Sequence, residues 1–61
     1  MILEEYDWLG QHYIDTNKGT FVLEYSKKTV CIRNEEGKVI SIVDWDSSEY
    51  LSEEIIKESI K

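Results

Sequence analysis

The chain has 61 residues, a formal net charge of −6 and one cysteine. A domain this short buries only about 60% of the surface its unfolded chain exposes, and a lone thiol closes no intrachain disulfide, so neither a large core nor a disulfide framework is expected. One His and one Cys fall short of the four ligands of a structural zinc site, and the acidic balance runs against direct nucleic-acid binding, which needs a basic surface.

The segment before Gly10 lacks the basic stretch and long apolar run of a signal peptide, and no run approaches the ~18 apolar residues of a membrane span. A soluble, cytoplasmic protein is the expectation. Leu3 and Tyr6, flanked by Ile2 and Leu9, stand at helical spacing, and Gly10 follows where a helix would end, which predicts a short helix over residues 2–9.

From Gln11 onward the period becomes two. His12–Asp15 reads as a first strand, Thr16-Asn17-Lys18-Gly19 as a turn, and Thr20–Ser26 as a second strand with Phe21, Leu23 and Tyr25 on one face. Lys27-Lys28 makes the next tight connection. Thr29–Arg33 is the third strand, with Val30 and Ile32 sharing a face, and Asn34-Glu35-Glu36-Gly37 a further hairpin loop. The fourth strand, Lys38–Trp45, is apolar on both faces, with Ile40 and Ile42 on one and Val39, Val43 and Trp45 on the other, which predicts a central or doubly covered position.

A helix over about 48–60 closes the chain. Two starts compete for it: Asp46 with Glu49 three residues on forms a capping-box-like pair, while Ser52, between Leu51 and Ile56, fits an N-cap with a hydrophobic staple. Leu51, Ile55, Ile56 and Ile60 form a stripe with Ser52 and Ser59 at its centre, so the helix can lie close on a sheet. The predicted fold is a single α+β domain over 1–61: a meander of three or four antiparallel strands, a C-terminal helix packed on one face and a short N-terminal helix. Val22, Cys31, Val39 and Val43 then fall on the face away from the C-terminal helix.

Charge is distributed by segment. Residues 1–17 carry Glu4, Glu5, Asp7 and Asp15 without any Lys or Arg, residues 18–38 are net basic, and residues 39–61 hold six carboxylates against Lys57 and Lys61. If the ends of the chain approach each other, these carboxylates merge into one negative surface. Glu54 and Glu58 repel at i,i+4 spacing unless a partner favours them. Asp46, Tyr50, Glu53, Glu54 and Glu58 are accordingly the candidate partner-binding residues, Tyr50 being an aromatic anchor among acids.

Chemistry-bearing motifs are absent. The run Asp44-Trp45-Asp46-Ser47-Ser48-Glu49 has alternating oxygen ligands, yet Glu49 stands where a calcium loop needs Gly, and Ile55 where it needs a bidentate carboxylate. Cys31, between Val30 and Ile32, reads as a buried small hydrophobe, and His12 has no partner at a recognisable spacing. No enzyme, metal or cofactor is expected. In size, charge and architecture the chain resembles the small inhibitor proteins of phages and mobile elements, a likeness of type that implies a binding protein directed at a larger, basic-surfaced protein such as a nucleic-acid-processing or defence factor. The alternative is an assembly module that self-associates. A homodimer through Val22, Cys31, Val39 and Val43 is expected in either case, since folding of so short a chain is marginal and these residues would otherwise expose an apolar face.

Overall fold

Leu9 and Gly10 both adopt positive φ, 51° and 77°, and this two-residue turn reverses the chain between extended segments β1 (Ile2–Trp8) and β2 (Gln11–Thr16) in the computed structural model, which describes residues 1–61. The mirror-image turn matches the right-handed twist of paired strands, which is why two positive φ values in succession mark a hairpin. The expected N-terminal helix is therefore a strand. A two-turn helix is too short to sustain itself, whereas pairing with β2 gives the backbone of residues 2–8 ladder partners from Trp8↔Gln11 down to Ile2↔Thr16.

The meander continues through β3 (Gly19–Tyr25), β4 (Thr29–Arg33) and β5 (Val39–Asp44), with every neighbour antiparallel and the strands in chain order. There are thus five strands rather than three or four. Gly19, at φ 116°, ends the turn after Asn17-Lys18, and Thr16 Oγ1 secures that turn by donating to the Gly19 carbonyl at 2.7 Å while accepting from Lys18 N–H at 3.1 Å. Asn34 Oδ1 does the same for the β4–β5 loop, accepting from the N–H groups of Glu36 and Lys38 at 3.0 and 2.9 Å.

Beyond β5, one 3₁₀ turn, Trp45–Ser47, leads into α1 (Ser48–Ser59). Neither expected capping arrangement forms. Ser47 precedes the helix in αR geometry without a side-chain cap, and Ser48 Oγ instead donates to the Trp45 carbonyl at 2.9 Å, so the 3₁₀ turn delivers the chain to the helix. The helix buries Ser48, Ser52 and Ile56, and its C-cap Ile60 continues the i,i+4 series, while Ser59 is exposed. It packs on β4 and β5. Ile56 and Ile60 join Ile14, Phe21, Leu23, Val30, Ile32 and Val43 in one core.

Two expectations about β5 are overturned by one irregularity. The β4–β5 register shifts between Ile32, opposite Ser41, and Arg33, opposite Val39, so the residues of β5 do not alternate as a regular strand would. Ile40 packs against the core, Val43 is buried opposite Val30, and Ile42 faces outward opposite Cys31 at 62% exposure. Val43 therefore lies under the helix and not on the open face with Val22, Cys31 and Val39. The strand is also an edge of the sheet rather than its centre.

Leu9 is a solvent-exposed leucine in left-handed backbone, a conformation that costs most L-residues about 1–2 kcal/mol and that Asn tolerates. Leu9→Asn completes an Asn-Gly turn and is expected to stabilise the fold by about 1 kcal/mol, raising the thermal midpoint by roughly 4–8 °C in a domain of this size. Thermal denaturation by circular dichroism measures the shift; an unchanged or lower midpoint contradicts the turn geometry.

Candidate functional site

Because α1 sits over β4 and β5, the β1–β2 side of the same face remains uncovered, and a half-open cleft of about 580 Å³ lies between helix and strands. Its floor is apolar, formed by Ile14 and Leu23. Ser48, Glu49, Ser52 and Glu53 border it from the helix, and Glu5 and His12 from the first hairpin. Tyr25 at the end of β3 and Trp45 in the 3₁₀ turn close one end, their rings 5.5 Å apart and inclined at 53°. No Lys or Arg lines the cleft.

Register explains how the carboxylates arrive there. In β1 the side chains alternate, so Glu5 and Asp7, opposite Ile14 and His12, face the helix side, while Glu4, Tyr6 and Trp8 face away. None of the β1 side chains is fully buried. The strand is held by its ladder, by the parallel stack of Tyr6 on Tyr13 at 5.3 Å, and by His12, whose ring lies 2.6 Å from Asp7 Oδ1 through Nδ1 and 3.0 Å from Glu5 Oε1 through Nε2. Burial of the ring opposes its protonation, but hydrogen bonds to Asp7 and Glu5 and the charges of both outweigh burial and lift the His12 pKa above its ordinary value. The Tyr25 phenol is raised too, first by burial and then by Asp7, Glu49 and Glu5. Carboxylates from both ends of the chain thus act on one aromatic ring.

The five expected partner-binding residues are not a single cluster. Glu53 borders the cleft and is half-buried; Tyr50, Glu54 and Glu58 point outward from the helix, Glu58 lying 3.4 Å from Lys61 Nζ. Asp46 belongs to a separate shallow groove with Asp44, Lys27 and Lys28. The sequence marks Glu5 and Asp7 as part of an acidic surface and Trp45 as an aromatic anchor, but not their convergence with His12, Tyr25, Glu49 and Ser52 on this side of the sheet. Reading residues 2–9 as a helix hid the alternation that aligns Glu5 and Asp7, and with them the partners of His12.

On the other side of the sheet lie Tyr6, Trp8, Tyr13, Val22, Cys31, Val39 and Ile42, all half-buried or exposed. Cys31 is only half-buried, not the enclosed residue its apolar neighbours suggested. Polar groups cross this apolar face: Arg33 Nε donates to Glu24 Oε1, Gln11 Nε2 to Glu24 Oε2 at 3.2 Å, and Arg33 Nη1 to the Gly37 carbonyl at 2.8 Å. The Arg33 pKa is raised by its hydrogen bond to Glu24.

Chemically, the cleft offers negative charge above an apolar floor. Ser48 Oγ is committed to the Trp45 carbonyl and both His12 nitrogens to carboxylates, so no serine–imidazole pair is assembled. No group of three or more His, Cys, Asp or Glu side chains is arranged to hold a metal ion, and no helix is long and apolar enough to cross a membrane.

His12 gives a pH signature whose sign follows from its raised pKa. Its contribution to stability is complete below the unfolded-state value of about 6.5 and is lost as pH rises through the folded-state value. The stability difference between the protein and a His12→Gln variant should therefore shrink as pH rises above about 6.5. Paired denaturant titrations measure this, with NMR titration of the ring giving the folded pKa directly; a folded value below 6.5 contradicts the clamp.

No family model matches the chain, and neither the curated proteins nor the solved structures contain a significant match to it.

Proposed function

We propose that this protein is a small acidic, non-enzymatic binding protein that docks a larger basic-surfaced protein and inhibits or regulates it, in the manner of phage or mobile-element inhibitors aimed at nucleic-acid-processing or defence factors. The observation that carries the reading is the convergence of Glu5, Glu49 and Glu53, drawn from opposite ends of the sequence, on one cleft that no Lys or Arg of the chain lines. Of these carboxylates only Glu5 has a basic partner, the His12 imidazole; Glu49 and Glu53 have none in the cleft, and a basic partner relieves their repulsion while steering its own approach. Glu54, Glu58 and Tyr50 extend the acidic surface along the outer side of α1.

The test separates the cleft from the rest of the helix. Complexes recovered from host lysate treated with nuclease are compared for the native protein, for Glu49→Lys with Glu53→Lys, and for Glu54→Lys with Glu58→Lys. The cleft pair is expected to abolish capture of the partner and the outer pair to slow it, with native association weakening at least tenfold between about 50 and about 500 mM salt. Association indifferent to salt and to both pairs overturns the proposal.

A second reading, self-association, is favoured by the aromatic and aliphatic face opposite the helix, where Val22, Cys31 and Val39 are joined by Ile42. Like-charged helices repel across a two-fold axis, so a homodimer would form through this face. Its thermal midpoint would rise with protein concentration, and Ile42→Lys would abolish that dependence. Native mass spectrometry giving only the 7.2 kDa chain, with a concentration-independent midpoint, rules the dimer out.

A further inference from the structure

One buried side-chain oxygen has no hydrogen-bond partner. Ser52 is 1% exposed, its Oγ bonds to nothing, and the residue lines the acidic cleft. Unpaired buried hydroxyls are uncommon because each forfeits the hydrogen bonds it made to water, so this one points to a ligand group that completes the site. Independently, Glu49 and Glu53 stand one helical turn apart on the same border of the cleft, and the ring of Trp45 flanks them at its end.

Resting on the reading that the cleft docks a basic protein, the geometry points to an arginine side chain of that partner as the group it receives. The guanidinium lies against Trp45 and forks between Glu49 and Glu53, and its alkyl stem runs along the exposed ring of Tyr25. Arginine fits better than lysine on three counts. A planar guanidinium stacks on an indole, its five N–H donors reach two carboxylates and a hydroxyl at once, and it is more weakly hydrated than an ammonium group. The exposed Tyr25–Trp45 pair suits the methylene stem, which packs on apolar surface while its charged head stays among polar groups. A cleft of about 580 Å³ accommodates this side chain together with backbone of the segment that carries it.

The fit is tested by NMR titration of the labelled protein with a capped tripeptide bearing a central arginine, with lysine and citrulline counterparts, and with free spermidine. The arginine peptide should shift the Trp45 indole N–H and the Glu49 and Ser52 amides saturably, the lysine peptide should bind about tenfold more weakly, and citrulline should not bind. Glu49→Gln and Trp45→Leu should each weaken arginine binding by about tenfold, and Ser52→Ala should weaken it without lowering the thermal midpoint. Amide spectra of each variant confirm that it is folded. Unsaturable shifts, equal responses to arginine, lysine and spermidine, or shifts centred on Glu54 and Glu58 overturn the assignment. If arginine fails while the Glu49→Lys and Glu53→Lys pair still abolishes partner capture, only the arginine assignment falls; if capture is also indifferent to salt and to charge reversal, the docking function falls with it.

Discussion

One helix, about 10 Å wide, covers one face of a sheet whose five strands span about 19 Å, and the rest of the molecule follows from that shortfall. The helix cannot shield five strands. It settles on β4 and β5, where Val30, Ile32 and Val43 supply the apolar surface, and buries Ile56 and Ile60 there. Ser48 and Ser52 let its first turns approach the sheet closely, at the cost of a hydroxyl without a partner. Everything on the β1–β2 side of that face then borders a cleft instead of a core.

What occupies the uncovered strip is set by the solvent it meets. Ile14 is still sealed by its neighbours, but His12 on the same strand and Glu5 and Asp7, one strand further out, are ionisable residues at positions that face the helix. An edge strand with inward-pointing charges is a poor template for further strand pairing, so the same residues that give the cleft its charge also protect the β1 edge. The cost is a weakly anchored strand. β1 contributes no fully buried residue, only Ile2 packing against the core, and depends otherwise on its ladder, on aromatic stacking and on the His12 clamp, which makes it the element with least to lose on local opening. A ligand that bridges Glu5 and the helix carboxylates would tie this strand to α1.

The α+β class, the three later hairpin connections and the C-terminal helix were legible in the sequence because each has its own local signal: Gly19 and Gly37 at turns, alternating Phe21-Leu23 and Val30-Ile32, and isoleucines at helical spacing. Two features were not. Residues 2–9 satisfy helical and extended spacing equally well over so short a segment, and only the pairing partner across Leu9-Gly10 decides between them. The bulge opposite Ile32 is invisible for a related reason: Lys38–Trp45 is apolar at most positions, so its pattern contains no phase, and the register shift alone sends Val43 inward and Ile42 outward. The negative charge of the chain's two ends was plain, but its focus on a cleft required the strand assignment that places Glu5 beside His12.

The two faces of the sheet present opposite chemistry, and this bears on how the proposed functions relate. The cleft side gathers carboxylates over a small apolar floor; the far side carries Tyr6, Trp8, Tyr13, Val22, Cys31 and Ile42 around the Arg33–Glu24 pair, with Glu4 and Asp15 confined to its β1–β2 part. Partner docking and self-association therefore draw on no common residue. Across a two-fold axis through the far side, the helices point outward, the cleft carboxylates of the two copies are kept apart by two sheets, and both clefts stay open. Association through the cleft side has the opposite consequence, since it would press Glu49 and Glu53 of each copy against like charge. On electrostatic grounds the proposed self-contact is compatible with the apolar face and the proposed partner of opposite sign with the acidic cleft.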